Sequence, residues 1–161
     1  MSASCSVGVG SVTPRVYPIE AVLPHRRPMI LLDEIVDCDD ATLVAAVSIR
    51  PATLFLEDDS VPGHIGIEYM AQACGAFAGA EALRRGEAVR IGFLLGSRRY
   101  IMHMPRFRLG DRLLVSVSLG YRDESMATFD GRIEVAGKLA AEARLTVYQP
   151  RVDGEDIGFD A

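Results

Sequence analysis

Cysteine and lysine are the scarce residues of this chain, and each scarcity closes off a class of protein. Cys5, Cys38 and Cys74 are scattered, odd in number and without a CxxC spacing. That leaves no disulfide framework and implies reduced thiols in a cytoplasmic protein. Cys74 lies in an apolar run and reads as a core residue, the usual fate of a free cysteine. Lys138 is the only lysine, and the net charge of −5 argues against general binding of nucleic acid. Residues 1–14 lack the basic start and continuous apolar core of a secretory signal peptide. Residues 64–83 are long enough to cross a bilayer, but His64, Glu68, Gln72 and Glu81 interrupt them, so no membrane span is expected.

What remains is an ordinary globular composition, 49% hydrophobic and 24% charged in 161 residues. That suits one domain with a self-sufficient core. The pattern divides the chain into a flexible N-terminal arm (1–15), a single domain (16–149) and a flexible acidic tail (150–161). Within the domain, Ile19–Leu23 fits one turn of helix between two prolines. Met29–Val36 reads as a buried strand, and Ala41–Ile49 as its antiparallel partner across the acidic turn 37–40. Residues 51–63 read as a loop, with Asp58, Asp59 and Ser60 placed to favour a helix start. A long helix follows, closed by Arg84, Arg85 and Gly86. Downstream, Arg90–Met102, the alternation through Leu113, Val115, Val117 and Leu119, Met126–Ala136 and Leu139–Tyr148 predict antiparallel strands, with turns at 123–125 and at Gly137-Lys138. The order predicts an α+β domain, an antiparallel sheet wrapped around one long helix.

The most informative stretch is Val61-Pro62-Gly63-His64-Ile65-Gly66-Ile67-Glu68-Tyr69-Met70-Ala71-Gln72, which opens that helix. From His64 to Leu83 nearly every residue is apolar or small, so the helix should be buried almost all round. A carboxylate in such a helix is costly unless it is paired, hydrogen-bonded or protonated. Glu68 therefore needs a reason, and catalysis is one. His64 precedes it by four residues, which on an α-helix stacks both side chains on one face, one turn apart. The pair could give two metal ligands, but a third is not evident and no metal is expected. Gln72 is one turn further along and either orients Glu68 or satisfies a core contact.

Two motifs resemble the β-hydroxyacyl-acyl-carrier-protein dehydratases of fatty-acid synthesis. Leu23-Pro24-His25-Arg26-Arg27-Pro28-Met29-Ile30-Leu31-Leu32-Asp33 is similar to their LPHRxPxLLxD opening. Pro62-Gly63 with Glu68-x-Met70-Ala71-Gln72-Ala73 is similar to their PGxxxxEAMAQA helix start. A weaker third likeness runs from Arg99 to Gly110-Asp111. Together they span residues 18–148, and the chain most resembles the dehydratase-like branch of aryl-polyene clusters. The resemblance implies a hotdog fold and a homodimer, or a heterodimer with another hotdog subunit, with active sites at the interface. It implies dehydration of 3-hydroxyacyl thioesters, borne by acyl carrier protein or coenzyme A, without a resident cofactor because the substrate brings its own phosphopantetheine.

Such a reaction needs a base for the C2 proton, an acid for the leaving hydroxyl and a donor for the thioester carbonyl. By the motif, Glu68 would be the acid. The N–H of Gly63, or of its neighbour at the helix start, would polarise the carbonyl. The loop His of the family's GHFP-type motif is missing from residues 51–60. His64 is then the favoured polar partner and His25 a weaker one, whereas His103 reads as half-exposed or core. Arg98, Arg99, Arg106 and Arg108, with Arg26 and Arg27, could form a basic rim for an acidic carrier protein, or simply a solvated strand face. Two other functions fit the sequence: a hotdog thioesterase with Glu68 as base, and a non-catalytic subunit that binds acyl chains or completes a partner's site.

Overall fold

The computed structural model describes residues 16–151, so the N-terminal arm and nearly all of the acidic tail lie outside the described residues. The chain order is α1 (Ile19–Val22), β1 (Glu34–Cys38), β2 (Thr42–Ser48), β3 (Ser60–Pro62), a 3-10 turn (Gly63–Ile65), α2 (Gly66–Arg84), β4 (Phe93–Met102), β5 (Arg106–Arg108), β6 (Arg112–Arg122), β7 (Met126–Val135) and β8 (Lys138–Tyr148). Six strands make one antiparallel sheet in the order β1-β2-β6-β7-β8-β4, and β3 pairs separately with β5. No helix among the described residues is long and apolar enough to cross a membrane.

Local chemistry sets the hairpins. The Asp39 carboxylate accepts the N–H groups of Ala41 and Thr42 at 2.8 and 2.7 Å, and these bonds turn the chain from β1 into β2. They also hold its carboxyl below the usual range. Between β7 and β8 the turn is Ala136-Gly137, with φ of 50° and 75°, one residue earlier than the sequence suggested. Two successive left-handed residues match the twist of a tight hairpin.

Two other expectations are corrected. Met29–Val36 is not a strand throughout: β1 begins only at Glu34. The backbone of the preceding segment bonds to a helix side chain instead, because Leu31 N–H and Met29 O both pair with Gln72 at 2.8 Å. The stretch 51–63 contains β3, which begins at Ser60 and separates Asp58 and Asp59 from the helix, so none of the three caps it. The N-cap residue of the 3-10 turn is Pro62, and no side-chain hydrogen bond caps it.

The sheet's inner face closes on α2 through Leu113, Val115, Phe129, Ile133 and Leu145, all buried. Phe77 of the helix meets Phe129 edge-on at 5.4 Å, a geometry worth about 1 kcal/mol beyond area burial. Small residues on the helix permit this approach. At Gly79 a Cβ would lie 1.9 Å from the carbonyl oxygen of Val22, so α1 rests directly on helix backbone there. Gly79→Ala should therefore destabilise the fold by about 1–3 kcal/mol, the cost of forced overpacking. A thermal melt with unchanged midpoint would show that α1 can lift away freely.

The helix is not covered all round. Glu68, Ala71, Gly75, Ala78 and Glu81 form an incompletely buried stripe along one side. That stripe borders a groove.

Candidate active site

The site begins where β3 runs into α2. Its pairing with β5 (Val61 opposite Phe107, Pro62 opposite Arg106) is prolonged by Gly63 N–H donating to Pro105 O at 2.7 Å. Gly63 fits because its α-carbon faces backbone: a Cβ would lie 2.7 Å from Met104 O and 2.9 Å from Pro105 O. This bond bears on the carbonyl donor. The N–H of Gly63 is already engaged, so the neighbour, His64 N–H, is the one the helix start offers to a ligand. It lies in a first turn, where a helix supplies no internal acceptor and carries partial positive charge.

One turn on, Glu68 is held by Gln72. The buried Gln72 side chain, 2% exposed, donates from Nε2 to Glu68 Oε1 at 3.0 Å and to Met29 O at 2.8 Å. Its Oε1 accepts Leu31 N–H at 2.8 Å. Gln72 therefore does both things that its sequence position allowed. It satisfies the buried Met29–Leu31 backbone, and with its remaining amide hydrogen it fixes one oxygen of the carboxylate.

Glu68 and Gln72 open onto a groove of about 350 Å3. Its floor is the small-residue side of α2, with Ala71, Gly75 and Ala78, and Phe93 and Met126 form part of its walls. Its far end is polar, where Glu81 and Arg122 pair at 2.8 Å. His25, exposed on the loop after α1, lines the same groove.

His64 is placed differently. Residues 63–65 form a 3-10 turn, so His64 precedes the α-helix proper, which begins at Gly66. The imidazole is exposed, does not line the groove, and makes no hydrogen bond with Glu68. His103 is half-exposed beside Glu142 at 3.5 Å.

The arginines do not act as one cluster. Arg106 donates to Ser60 Oγ at 2.5 Å and to Glu57 O at 3.0 Å, so it braces the loop before β3 and is not free for docking. Arg98, Arg99 and Arg108 are exposed, whereas Arg27 is paired with Glu20 at 2.8 Å. Cys74 is buried as expected, and burial pushes its thiol far above the ordinary range.

Tyr100 is the site residue that sequence reasoning missed. A bulge in β4, with Arg99 at φ 56°, turns it inward, and its hydroxyl donates to Gly63 O at 2.5 Å. The only signals in the sequence were one tyrosine among arginines and a glycine at position 66, where a Cβ would lie 2.3 Å from the Tyr100 hydroxyl.

Comparison with known proteins identifies the family. A family model described as "ApeP-like: ApeP dehydratase" matches residues 17–157. The 3-hydroxyacyl-acyl-carrier-protein dehydratase FabZ of Streptococcus pyogenes is 29% identical over 133 residues, covering 80% of this chain and 93% of its own length. A chain from the dehydratase heterocomplex ApeI:P of Xenorhabdus doucetiae superposes with a TM-score of 0.81 at 33% identity, covering 86% of this chain and 94% of that one. A hypothetical thioesterase from Streptococcus pneumoniae TIGR4, solved with coenzyme A, has a TM-score of 0.57 at 17% identity and shares the hotdog fold alone.

Proposed function

The chain belongs to the ApeP-like dehydratase family, and on that premise we propose that it removes water from 3-hydroxyacyl thioesters carried on phosphopantetheine, in fatty-acid or polyene-type biosynthesis. The observation that carries this reading is the fixed carboxylate, Glu68 bonded by Gln72 in the lining of a groove one turn from the helix start. With the acyl chain along the small-residue side of α2 and the thioester carbonyl beyond the Glu68 end of the groove, at the His64 N–H, C2 and C3 lie near Glu68. A base takes the C2 proton while Glu68, in its acid form, protonates the 3-hydroxyl, which leaves as water. Charge that develops on the carbonyl oxygen is met by the helix-start N–H. No resident cofactor enters, and the exposed Arg98, Arg99 and Arg108 supply positive charge toward an acidic carrier protein.

Of this chain's imidazoles, His25 lines the groove that Glu68 also lines, which supports it as the base. A second reading, in which another subunit supplies it, is favoured by β4. This strand is an edge of the sheet, yet Phe93, Leu95, Ile101 and Met102 are 47, 57, 41 and 48% exposed on it. An apolar edge of that length needs a cover. A second hotdog subunit, of the same or a different chain, would provide one, and the similarity to a member of a heterocomplex supports the latter.

One experiment separates these readings: mass spectrometry of 3-hydroxyacyl thioesters incubated with the protein alone. Water loss by the isolated chain that falls about 10²–10⁴-fold in His25→Ala fits His25 as base. Water loss only with an added hotdog subunit moves the base to that partner. Release of free acid would replace dehydration with thioester hydrolysis.

A further inference from the structure

We propose that Tyr100 is a positioning residue that activates the carbonyl donor of this site by polarising the peptide between Gly63 and His64. The inference rests on the dehydratase reading for its reaction and on geometry for its residue. Gly63 C=O and His64 N–H belong to one peptide unit. The Tyr100 hydroxyl donates to that oxygen at 2.5 Å, and Gly66 N–H donates to it as well. Two donors on the oxygen draw electron density from the amide nitrogen and sharpen its N–H as a donor, the cooperativity of chained hydrogen bonds. The alternative donor is already occupied, since Gly63 N–H is bonded to Pro105 O.

The surroundings are built for this contact. The β4 bulge spends a left-handed, non-glycine residue, Arg99, to aim the ring inward. Residue 66 has no side chain, and a Cβ there would meet the Tyr100 hydroxyl at 2.3 Å. The phenol also keeps its proton at any working pH, because burial pushes its pKa up to about 12.

Complete loss of an oxyanion donor costs about 10²–10³-fold in turnover. Cooperativity contributes about 10–30% of a bond's strength. Tyr100→Phe should therefore lower kcat by only about two- to eightfold with KM nearly unchanged. A packing role for the hydroxyl predicts a loss of stability but no graded effect on the carbonyl.

Two measurements decide the matter. The first is infrared spectroscopy of a 13C-carbonyl-labelled saturated acyl-pantetheine bound to wild type, Tyr100→Phe and proteins with fluorinated tyrosines at position 100. The saturated probe has no hydroxyl to lose, so this readout does not depend on dehydration. The carbonyl band should move to lower frequency as the phenol becomes more acidic and to higher frequency in Tyr100→Phe. The second is the His64 amide 15N shift in the unliganded protein, which should move upfield in Tyr100→Phe. A carbonyl band indifferent to the phenol, or an unmoved His64 amide, overturns the proposal. Absence of water loss from 3-hydroxyacyl thioesters would overturn the dehydratase reading while leaving both spectroscopic readouts interpretable.

Discussion

Glu68→Gln should lower kcat for dehydration by about 10²–10⁴-fold, the contribution typical of a positioned general acid or base, and leave the thermal midpoint near that of wild type. The asymmetry follows from the bonding. Gln72 Nε2 donates to Glu68 Oε1 at 3.0 Å, and an amide oxygen in that position accepts the same bond. The Gln72 contacts to Met29 and Leu31 are untouched, so the segment that leads into β1 keeps its anchors. Only the ability to carry a proton is lost. Turnover should be read by mass spectrometry of the thioester, with stability by thermal melt on the same preparation. Full turnover in this variant would remove Glu68 from the chemistry and leave it as a structural carboxylate. A large fall in melting temperature would show that its charge, rather than its hydrogen bond, helps to hold the helix start.

How much of this could be read beforehand differs between the fold and the site. Long-period features were legible: the apolar helix with its Arg84-Arg85-Gly86 end, and the alternation of β6, β7 and β8, because each repeats a physical constraint many times. The segment 29–33 misled for a definable reason. Its apolar residues look like a buried strand, but its backbone partners come from the Gln72 amide more than forty positions away, which no local pattern encodes. His64 is exposed and outside the groove, a placement that residue spacing alone does not encode. Glu68 was legible because a carboxylate in an apolar helix demands a cause. Tyr100 was not, because its proposed role depends on a bulge and on a hydrogen bond to a glycine 37 positions earlier. The β4 edge lies between these cases: its apolar residues are plain in the sequence, but only the strand order leaves them uncovered.

Gly63→Ala should be nearly as damaging as loss of the carboxylate, but by a different route. The new methyl group would lie 2.7 Å from Met104 O and 2.9 Å from Pro105 O, closer than real contacts allow. Both oxygens belong to a backbone that cannot yield easily. Met104 N–H and His103 N–H bond to Ala140 O at 3.0 and 2.8 Å, and Pro105 O itself receives Gly63 N–H at 2.7 Å. Relief must come from the helix start, which would swing the His64 N–H away from the carbonyl while Glu68, a turn deeper and clamped by Gln72, moves less. A misplacement of about 1 Å costs on the order of 100-fold in rate, and overpacking costs about 1–3 kcal/mol in stability. The expected signature is a fall in kcat larger than the stability loss explains, with the carbonyl band of a bound thioester shifted toward its value in water. Gly63→Ala with wild-type turnover and an unshifted band would mean that the carbonyl is held elsewhere. The donor would then have to be sought outside this helix start, in a second subunit across the β4 edge.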